Sequence, residues 1–411
     1  MARTHTRRFP TPIQHDGRAY LTTAQVAKLL GVKPATVYAY VSRGRMSSAR
    51  IDGIDGSVFP VDEIEALVDG RPRRTPAGVV ERIQTELTLL ADDRLYYRGR
   101  DAVTLAETAS FEEVAALLWN VETDWPAAAL DDDAIEAIRA AAGGRARGVD
   151  LVRMTVDVLG ARDALRYQVD PAAVAVKVAA LIGGCLQVLA AGEPGSGAVA
   201  DRLWPCLTEE SPAPRKIKVL NAALVLLADH DLSVGTVAAR VAASSRGSVY
   251  AVIGAGLGAF DGPTHGGATT LAYRFLRDAI DDPDVAVAAV LHAGNRIPGT
   301  GHVVYRDRDP RAEYLLGIIA GSGGDPRVGQ ALDRIRQHLP ESSFLNSDFA
   351  LAALALQHSM RADAAETVFA LARIVGWTAH ALEEYGARAL RFRPEGVYTG
   401  VRPGSSASAA Q

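Results

Sequence analysis

Apolar positions at helical spacing open the chain with two short predicted helices. The first carries the apolar residues of Val26–Leu30 on one face, follows an N-cap at Thr22 or Thr23, and ends at Gly31. The second covers Ala35–Arg43 and leaves polar side chains on its outer face. Two short helices joined by a tight, glycine-containing turn predict a helix-turn-helix.

A small hairpin is predicted after these helices. Arg50–Gly53 pairs with Ser57–Pro60, and a helix that starts at Asp62 continues through Glu63–Leu67. The segment Tyr20–Val68 resembles the winged helix-turn-helix of the MerR and excisionase families, in which the second helix enters the major groove. This resemblance implies DNA contacts by Lys33, Thr36, Tyr38, Arg43 and Arg45. The alternative is a small protein-interaction or vestigial domain with a solvated basic face.

The rest of the chain is predicted to be mostly helical. Helical patterns rich in Ala, Leu and Val cover Phe111–Trp119, Ala173–Ala191 and Ala364–Glu384, and alternating runs are few. Two prolines and three arginines in Gly70–Pro76 predict a linker, so the first domain is expected to span residues 1–75. The last residues, 401–411, have the small-residue composition of a frayed tail.

Composition then narrows the class of protein. The 411 residues are 48% hydrophobic and 22% charged, which predicts a globular chain of two or three domains and excludes a disordered one. Residues 1–75 contain 12 Lys+Arg and 7 Asp+Glu, a net charge of +5, whereas the remainder carries −9. The sequence has only the cysteines Cys185 and Cys206, no signal-peptide pattern and no uncharged apolar stretch of about 18 residues, so we expect a soluble, cytoplasmic protein with no membrane span.

Three histidines stand in unusual company, at His230 in ADHDL, His265 in GPTHGGA and His302 in PGTGH. Together with the carboxylate of Asp348 and several later arginines, they suit the enolisation of a carbonyl compound opposite a polyanionic acceptor. No zinc-ligand spacing occurs, so no metal is expected. Gly254–Gly258 lies within an Ala-rich helical pattern and predicts close helix packing rather than nucleotide binding.

Six motifs follow one another along the chain, namely ADHDL at His230, GPTHGGA at His265, PGTGHVVYRDRDPRA at His302, NSDF at Asp348, FALARIVGW at Arg373 and RPEGVYTG from Arg393. This is the order found in citrate synthases, and the chain from the linker to Gly400 resembles that family. The resemblance implies an all-α fold with a large domain, residues 76–255 completed by 363–400, and a small domain, residues 256–362. The site is then expected in the cleft between these two domains, and closure of the cleft excludes water.

The resemblance also implies residue roles. Asp348 matches the base that removes a methyl proton from acetyl-CoA, His265 matches the residue on the thioester oxygen, and His302 matches the one that polarises the oxaloacetate ketone. The implied carboxylate-binding set is His230, Arg311, Arg373 and Arg393, with Phe369 packed in the site and the coenzyme A loop formed by Pro298, Gly299, Thr300 and Gly301. Arg393 is implied to reach the neighbouring subunit's site in a homodimer. Apart from the coenzyme A thioester, which is a substrate, no cofactor is expected.

Four departures from common family patterns leave alternatives open. Four positions carry residues that differ from those of many relatives, namely Thr269 after Ala268, Thr300, Leu227 and Glu395. None of them removes an implied catalytic position, but neighbours of the acyl pocket decide between acetyl-CoA and propionyl-CoA, so 2-methylcitrate synthesis is an alternative. The helix-turn-helix adds a second alternative, a DNA-binding regulator that uses the synthase fold as a metabolite sensor. Such a sensor would need the arginines but no general base, so the sequence favours an enzyme.

Overall fold

The structure is a computed structural model. It describes residues 12–15, 18–42, 46–51, 53–54, 56–68, 83–126, 129–192 and 195–392, with only the backbone of 65–68. The described residues fall into two compact units that divide after residue 82. They contain 18 helices and six short strands, which confirms the helical fold class with a helix-turn-helix in front.

The first unit is a three-stranded antiparallel sheet packed on three helices. Its elements are β1 (Ile13–His15), β2 (Arg18–Thr22), α1 (Thr23–Leu30), α2 (Pro34–Ser42), β3 (Val58–Pro60) and α3 (Val61–Val68). Thr22 caps α1 in a capping box with Gln25, and Gly31 ends the helix with a φ of 67°. Both predicted helices of the helix-turn-helix are therefore confirmed.

The predicted wing pairing is wrong in its main partner. Strand β3 pairs along its length with β2, in a register that sets Leu21 opposite Phe59. Of the described residues before β3 and after α2, Ala49 alone pairs with it, in a bridge to Val58. Leu21 and Phe59 are both completely buried, and pairing β3 with β2 places these two side chains in the core of the unit. Burial of this pair therefore selects β2 as the partner of β3.

The second unit begins with a small sheet and continues as a helical bundle. The strands are β4 (Thr88–Ala91), β5 (Arg94–Tyr97) and β6 (Arg100–Asp101). The helices are α4 (Ala102–Thr108), α5 (Phe111–Trp119), α6 (Asp132–Ala142), α7 (Gly148–Arg162), α8 (Pro171–Leu189), α9 (Val199–Leu207), α10 (Pro214–Leu227), α11 (Val234–Ser244), α12 (Val249–Phe260), α13 (Gly267–Asp281), α14 (Pro283–His292), α15 (Pro310–Ala320), α16 (Pro326–His338), α17 (Ser347–Gln357) and α18 (Ala364–Gly386). The three helices predicted from the apolar pattern correspond to α5, α8 and α18.

Helix α18 forms the centre of this unit. It packs on helices from both halves of the bundle, including α5, α10, α11, α12 and α17. The predicted close packing is confirmed at Gly256 of α12, where a Cβ would lie 2.6 Å from the ring of Trp377. Helices α13 to α17 pack mainly on one another. The predicted boundary at residue 255 falls inside α12, and the domain limits within this unit stay a prediction.

Helix α8 alone among the described segments has the length and apolarity to cross a membrane. Its mean hydropathy reaches 2.0 over 18 residues, despite Lys177, and 72% of that stretch is buried within the unit. A helix that is apolar on all sides is typical either of a membrane span or of a protein core. Its burial against neighbouring helices fits the second case.

Candidate active site

The β4–β5 hairpin holds the loop that carries His230. The Tyr97 hydroxyl donates to the carbonyl oxygens of Leu226 (3.1 Å) and Asp229 (3.0 Å). The buried carboxylate of Asp229 accepts from the Thr88 hydroxyl and from the backbone N–H of Asp231. Two strands therefore fix the backbone on both sides of an imidazole that is itself buried.

A second pair of segments holds His302 and Asp348 together. The backbone N–H of Gly301 donates to Phe344 O (2.8 Å), and Asn346 donates from its backbone to Gly299 O and from its side chain to Gly301 O, both at 2.9 Å. The Asn346 amide oxygen accepts from the backbone N–H of Asp348 and begins α17. The glycine loop and the N-terminus of α17 thus form one unit.

The loop requires glycine at one of its positions. Gly299 has a φ of 75°, and a Cβ there would lie 2.9 Å from the Cβ of Phe349. Any other residue at this position would be strained and would push α17 away.

His230 and His302 lie side by side with a tyrosine. Their ring centroids are 5.0 Å apart, and the Tyr305 ring lies 5.4 Å from the first and 4.8 Å from the second. His302 Nδ1 accepts from the backbone N–H groups of Val304 (3.0 Å) and Tyr305 (3.4 Å). In the neutral ring the proton is then on Nε2, so His302 presents a hydrogen-bond donor.

Burial keeps the site histidines neutral. It lowers the pKa of His302 to about 4, with a further contribution from the charge of Arg311, and it lowers the pKa of His265 to about 4, helped by Arg373. The pKa of His230 is also well below its ordinary value, first through burial and then through Arg311. Neutral imidazoles near neutral pH act as hydrogen-bond donors rather than as cations.

Arg311 is held by a buried carboxylate at the start of α15. Asp309 caps this helix and binds the guanidinium with both oxygens, at 2.9 Å from Nε and 2.8 Å from Nη2. Burial raises the pKa of Asp309, but Arg311, together with His302 and the backbone N–H of Ser347, outweighs burial, and the net shift is downward. One Asp309 oxygen also accepts from the backbone N–H of Ser347, next to Asp348. Asp309 therefore connects α15 to the N-terminus of α17.

Arg373 on α18 is buried and only partly bonded. Its Nε donates to Leu227 O at 2.9 Å, and Nη1 lies 3.5 Å from the Ser233 hydroxyl. Its Nη2 is buried with no hydrogen-bond partner among the described residues. A buried guanidinium nitrogen without a partner is costly, and a ligand carboxylate would satisfy it.

His265 lies on an aromatic surface beside this arginine. Its ring centroid is 5.3 Å from that of Phe260 and 5.9 Å from that of Phe369, whose ring lies 4.9 Å from the Arg373 guanidinium carbon. His265 Nε2 is buried and, like Arg373 Nη2, lacks a partner in the described part of the chain. The two unpartnered groups mark a site for polar atoms of a ligand.

Asp348 is a half-buried carboxyl near the start of α17. Burial raises its pKa to about 7, and the neighbouring Asp309 adds to the shift, while Arg311 and Arg373 oppose it. A carboxyl that titrates near neutral pH is suited to removing a proton from carbon and returning it. The charge of Arg373 lowers the pKa of Asp348 and of all three site histidines, so this guanidinium lies near all four groups.

Most of the predicted site residues come together in this way, and some cannot be placed. Arg393, Arg43 and Arg45 lie outside the described residues, as do the predicted linker and tail. Of the predicted DNA contacts in the described part, Lys33 and Tyr38 are exposed and Thr36 is half-buried. Sequence reasoning gave no role to Tyr305, Asp309 or Asp229, although all three stand inside the motifs around His230 and His302. For Asp309 a signal was present, because an aspartate before Pro310 is typical of a capped helix start.

Solved structures show what class of fold this is. A citrate synthase from Thermoplasma acidophilum, solved in a ternary complex with carboxymethyl coenzyme A and oxaloacetate, matches with a TM-score of 0.71 at 24% identity, over 81% of this chain and 97% of that one. A citrate synthase from Thermotoga maritima matches with a TM-score of 0.66 at 24% identity, over 80% of this chain and 96% of that one. The fold is that of the citrate synthases.

Sequence comparisons place the chain more narrowly. The family model "Citrate synthase, C-terminal domain" matches residues 78–395, so the chain belongs to the citrate synthase family, and a helix-turn-helix domain model matches residues 20–72. Citrate synthase of Haloferax volcanii is 30% identical over 82% of this chain and 97% of that protein. Citrate synthase 2 of Bacillus subtilis is 29% identical over 79% of this chain and 94% of that protein. A 2-methylcitrate synthase of Shewanella oneidensis is 27% identical over 75% of this chain and 89% of that protein.

Proposed function

We propose that the chain catalyses the condensation of acetyl-CoA with oxaloacetate to give citrate and coenzyme A. The observation that carries the proposal is the grouping of Asp348, neutral His265 and His302, and the buried Arg311 and Arg373 around one site. Relatives named citrate synthase align with most of the chain, which supports an enzyme of the condensing type.

The proposed mechanism uses three of these groups. The Asp348 carboxylate takes a proton from the acetyl methyl carbon while His265 donates a hydrogen bond to the thioester oxygen, so negative charge on that oxygen is stabilised as it forms. His302 donates a hydrogen bond from Nε2 to the ketone oxygen of oxaloacetate, and the enolate carbon forms the new carbon–carbon bond to the ketone carbon. The ketone oxygen takes up a proton as this bond forms and becomes the hydroxyl of the citryl thioester, and this uptake balances the proton that Asp348 removed. Water then hydrolyses the citryl thioester and releases coenzyme A.

Thiol release tests this reaction. Purified protein is given oxaloacetate with acetyl-CoA or propionyl-CoA, and the free thiol is measured. We expect turnover with acetyl-CoA to exceed turnover with propionyl-CoA. The reverse order of kcat/KM would assign 2-methylcitrate synthesis, the activity named for the Shewanella relative. A chain that releases no thiol but is stabilised against heat by oxaloacetate would be a sensor.

We propose a homodimer in which Arg393 completes the site of the neighbouring subunit. Helix α11 supports an interface, because Val234, Val237 and Val241 form one stripe at helical spacing and are 69%, 37% and 45% exposed. A stripe of exposed valines is typical of a surface that another chain covers.

We also propose a location in the reducing cytoplasm, which the two buried and unpaired cysteines support.

Subunit mixing tests the shared site. Asp348→Asn and Arg393→Ala variants are each expected to be inactive, yet a heterodimer has one site with wild-type Asp348 from one subunit and wild-type Arg393 from the other. Random reassortment of equal amounts should therefore recover about a quarter of wild-type activity. Mixing without any recovery, after mass spectrometry has shown that heterodimers form, would contradict a shared site.

For the first unit we propose DNA binding through α2, supported by the helix-turn-helix match. Tyr38 is 46% exposed on this helix, and its hydroxyl lies 3.2 Å from that of Thr23. Lys33 at the start of the helix is suited to a phosphate contact. We expect the protein to bind duplex DNA with an affinity that falls as the salt concentration rises. The Lys33→Ala variant should bind the same DNA more weakly than wild type. No binding at low salt would favour a protein-interaction role for this unit.

A further inference from the structure

The loop between His302 and Arg311 carries a tyrosine that contacts three of the proposed oxaloacetate-binding groups. Tyr305 is only 4% exposed, and its hydroxyl lies 3.0 Å from His230 Nε2. The Tyr305 ring packs against the ring of His302. The guanidinium carbon of Arg311 lies 5.3 Å from the centroid of the Tyr305 ring. A single side chain thus contacts both imidazoles and one guanidinium.

We propose that Tyr305 is a positioning residue for the 2-oxo acid half of the site, and that Asp93 holds it in place. The proposal rests on the proposed function, because it assigns a role in oxaloacetate binding. In this role the phenol donates to His230 Nε2, which leaves the single proton of the neutral ring on Nδ1 and fixes its orientation. The apolar part of the ring fills the space between His302 and Arg311, where water would otherwise weaken their electrostatic contact with the substrate.

The protonation states agree with a neutral hydrogen bond. Burial raises the pKa of Tyr305 to about 12, so the phenol keeps its proton at neutral pH. The pKa of His230 is well below its ordinary value, again mainly through burial. A protonated phenol beside a neutral imidazole gives one donor and one acceptor, and neither group needs to change its charge when the substrate binds.

A carboxylate at the tip of the β4–β5 hairpin anchors the backbone next to Tyr305. The two oxygens of Asp93 accept from the backbone N–H groups of Arg306 (2.8 Å) and Asp307 (2.9 Å). Asp92 and Asp93 both have a φ of 51°, a conformation that costs energy for a residue other than glycine. The turn therefore holds the Asp93 side chain in a defined direction, and the carboxylate fixes the loop that places the phenol.

The same hairpin acts on both sides of the Tyr305–His230 contact. Thr88 and Tyr97, in strands β4 and β5, bind the loop that carries His230, while Asp93 at the tip binds the loop that carries Tyr305. Because one rigid hairpin reaches both loops, the distance between the imidazole and the phenol is set by the hairpin itself. The sequence motifs around the histidines carry no trace of this arrangement.

Two conservative variants test the role. Tyr305→Phe keeps the ring and removes the hydroxyl, so the KM for oxaloacetate should rise about fivefold to tenfold, as expected for one lost hydrogen bond. The KM for the acyl thioester should stay unchanged and kcat should change by less than about threefold. Asp93→Asn leaves one acceptor oxygen for two donors. It should also raise the KM for oxaloacetate, by a smaller factor than Tyr305→Phe does. The double variant should show less than the product of the two effects.

Tyr385→Phe is the matched control. Its hydroxyl donates to Gly247 O at 2.8 Å, so the variant also loses one tyrosine hydrogen bond, but none of the site contacts involves it. It should lower the melting temperature without changing either KM. Asp93→Asn keeps the test decisive if Tyr305→Phe does not fold, because Asp93 is only half-buried at the tip of a hairpin.

Oxaloacetate-induced thermal stabilisation distinguishes a failure of the role of Tyr305 from a failure of the proposed function. Stabilisation of wild type that is weaker in Tyr305→Phe at equal oxaloacetate supports the role. Stabilisation that is equal in both proteins, or a KM for the acyl thioester that rises as much as that for oxaloacetate, overturns the role of Tyr305 and leaves the proposed function standing. Wild type that neither turns over nor is stabilised by oxaloacetate overturns both.

Discussion

Replacement of Asp348 by asparagine is expected to lower kcat for thiol release by about 10² to 10⁴-fold, the usual contribution of a positioned acid–base group. Asparagine has nearly the same volume and leaves the cap of α17 in place, because the capping side chain is that of Asn346. The amide cannot accept a proton from the acetyl methyl group. The fold and oxaloacetate binding should therefore persist while turnover is lost.

Asp333→Asn is the control for this variant. Asp333 lies on α16 with its side chain 75% exposed, and the substitution should leave kcat unchanged. Asp348→Asn with more than about a tenth of wild-type kcat would contradict a role as base. Equal oxaloacetate-induced stabilisation of wild type and Asp348→Asn would show that binding is intact.

The pH dependence of the wild-type enzyme should carry the signature of the same carboxyl. Burial raises the pKa of Asp348 to about 7, and a base acts only in its deprotonated form. kcat/KM should therefore rise with pH through the neutral range and fall about tenfold per pH unit well below the pKa of the group. A profile that is flat from acid to neutral pH would contradict this assignment.

The sequence predicts those parts of the molecule that depend on local signals. The capping box at Thr22 and the αL glycine at Gly31 define α1 from residues within a few positions of one another. The glycine loop before His302 is also marked by a local signal, because glycines beside a histidine indicate an unusual backbone conformation, and Gly299 has a φ of 75°. The motifs then point to His230, His265, His302, Asp348 and Arg373, which the structure brings to one site.

Contacts between distant segments could not be predicted in the same way. The choice of β2 as partner for β3 depends on burying Leu21 with Phe59, about 40 residues apart in the chain, and no local rule ranks that pairing above a hairpin. Tyr305 stands inside the motif around His302, but that motif does not indicate what its side chain touches. The contact of Asp93 with the backbone beside Tyr305 joins segments more than 200 residues apart. Motifs thus predict the groups expected to touch substrate, whereas the supporting residues become visible only in the folded chain.

Replacement of Arg373 by lysine is expected to lower kcat/KM for oxaloacetate by about 10²-fold, since hydrogen bonds to charged groups contribute about 1.5–3 kcal/mol each. The guanidinium donates from Nε to Leu227 O, and its buried Nη2 has no partner among the described residues. A carboxylate of the substrate would satisfy this nitrogen. Lysine keeps the positive charge but cannot bind the carbonyl and the substrate at once with fixed planar geometry. The kcat/KM for oxaloacetate should therefore fall even though the lysine retains a positive charge at this position.

Arg202→Lys is the matched control, because Arg202 is also a buried arginine that donates to backbone carbonyl groups, those of Pro126 and Gly183. Both variants should lose some stability, but only Arg373→Lys should lose oxaloacetate-induced stabilisation. If both lost kcat/KM equally, buried arginines would matter here only for folding. If Arg373→Lys kept wild-type kcat/KM, its unpartnered nitrogen would not bind the substrate, and the carboxylates would have to be bound by Arg311 and the histidines.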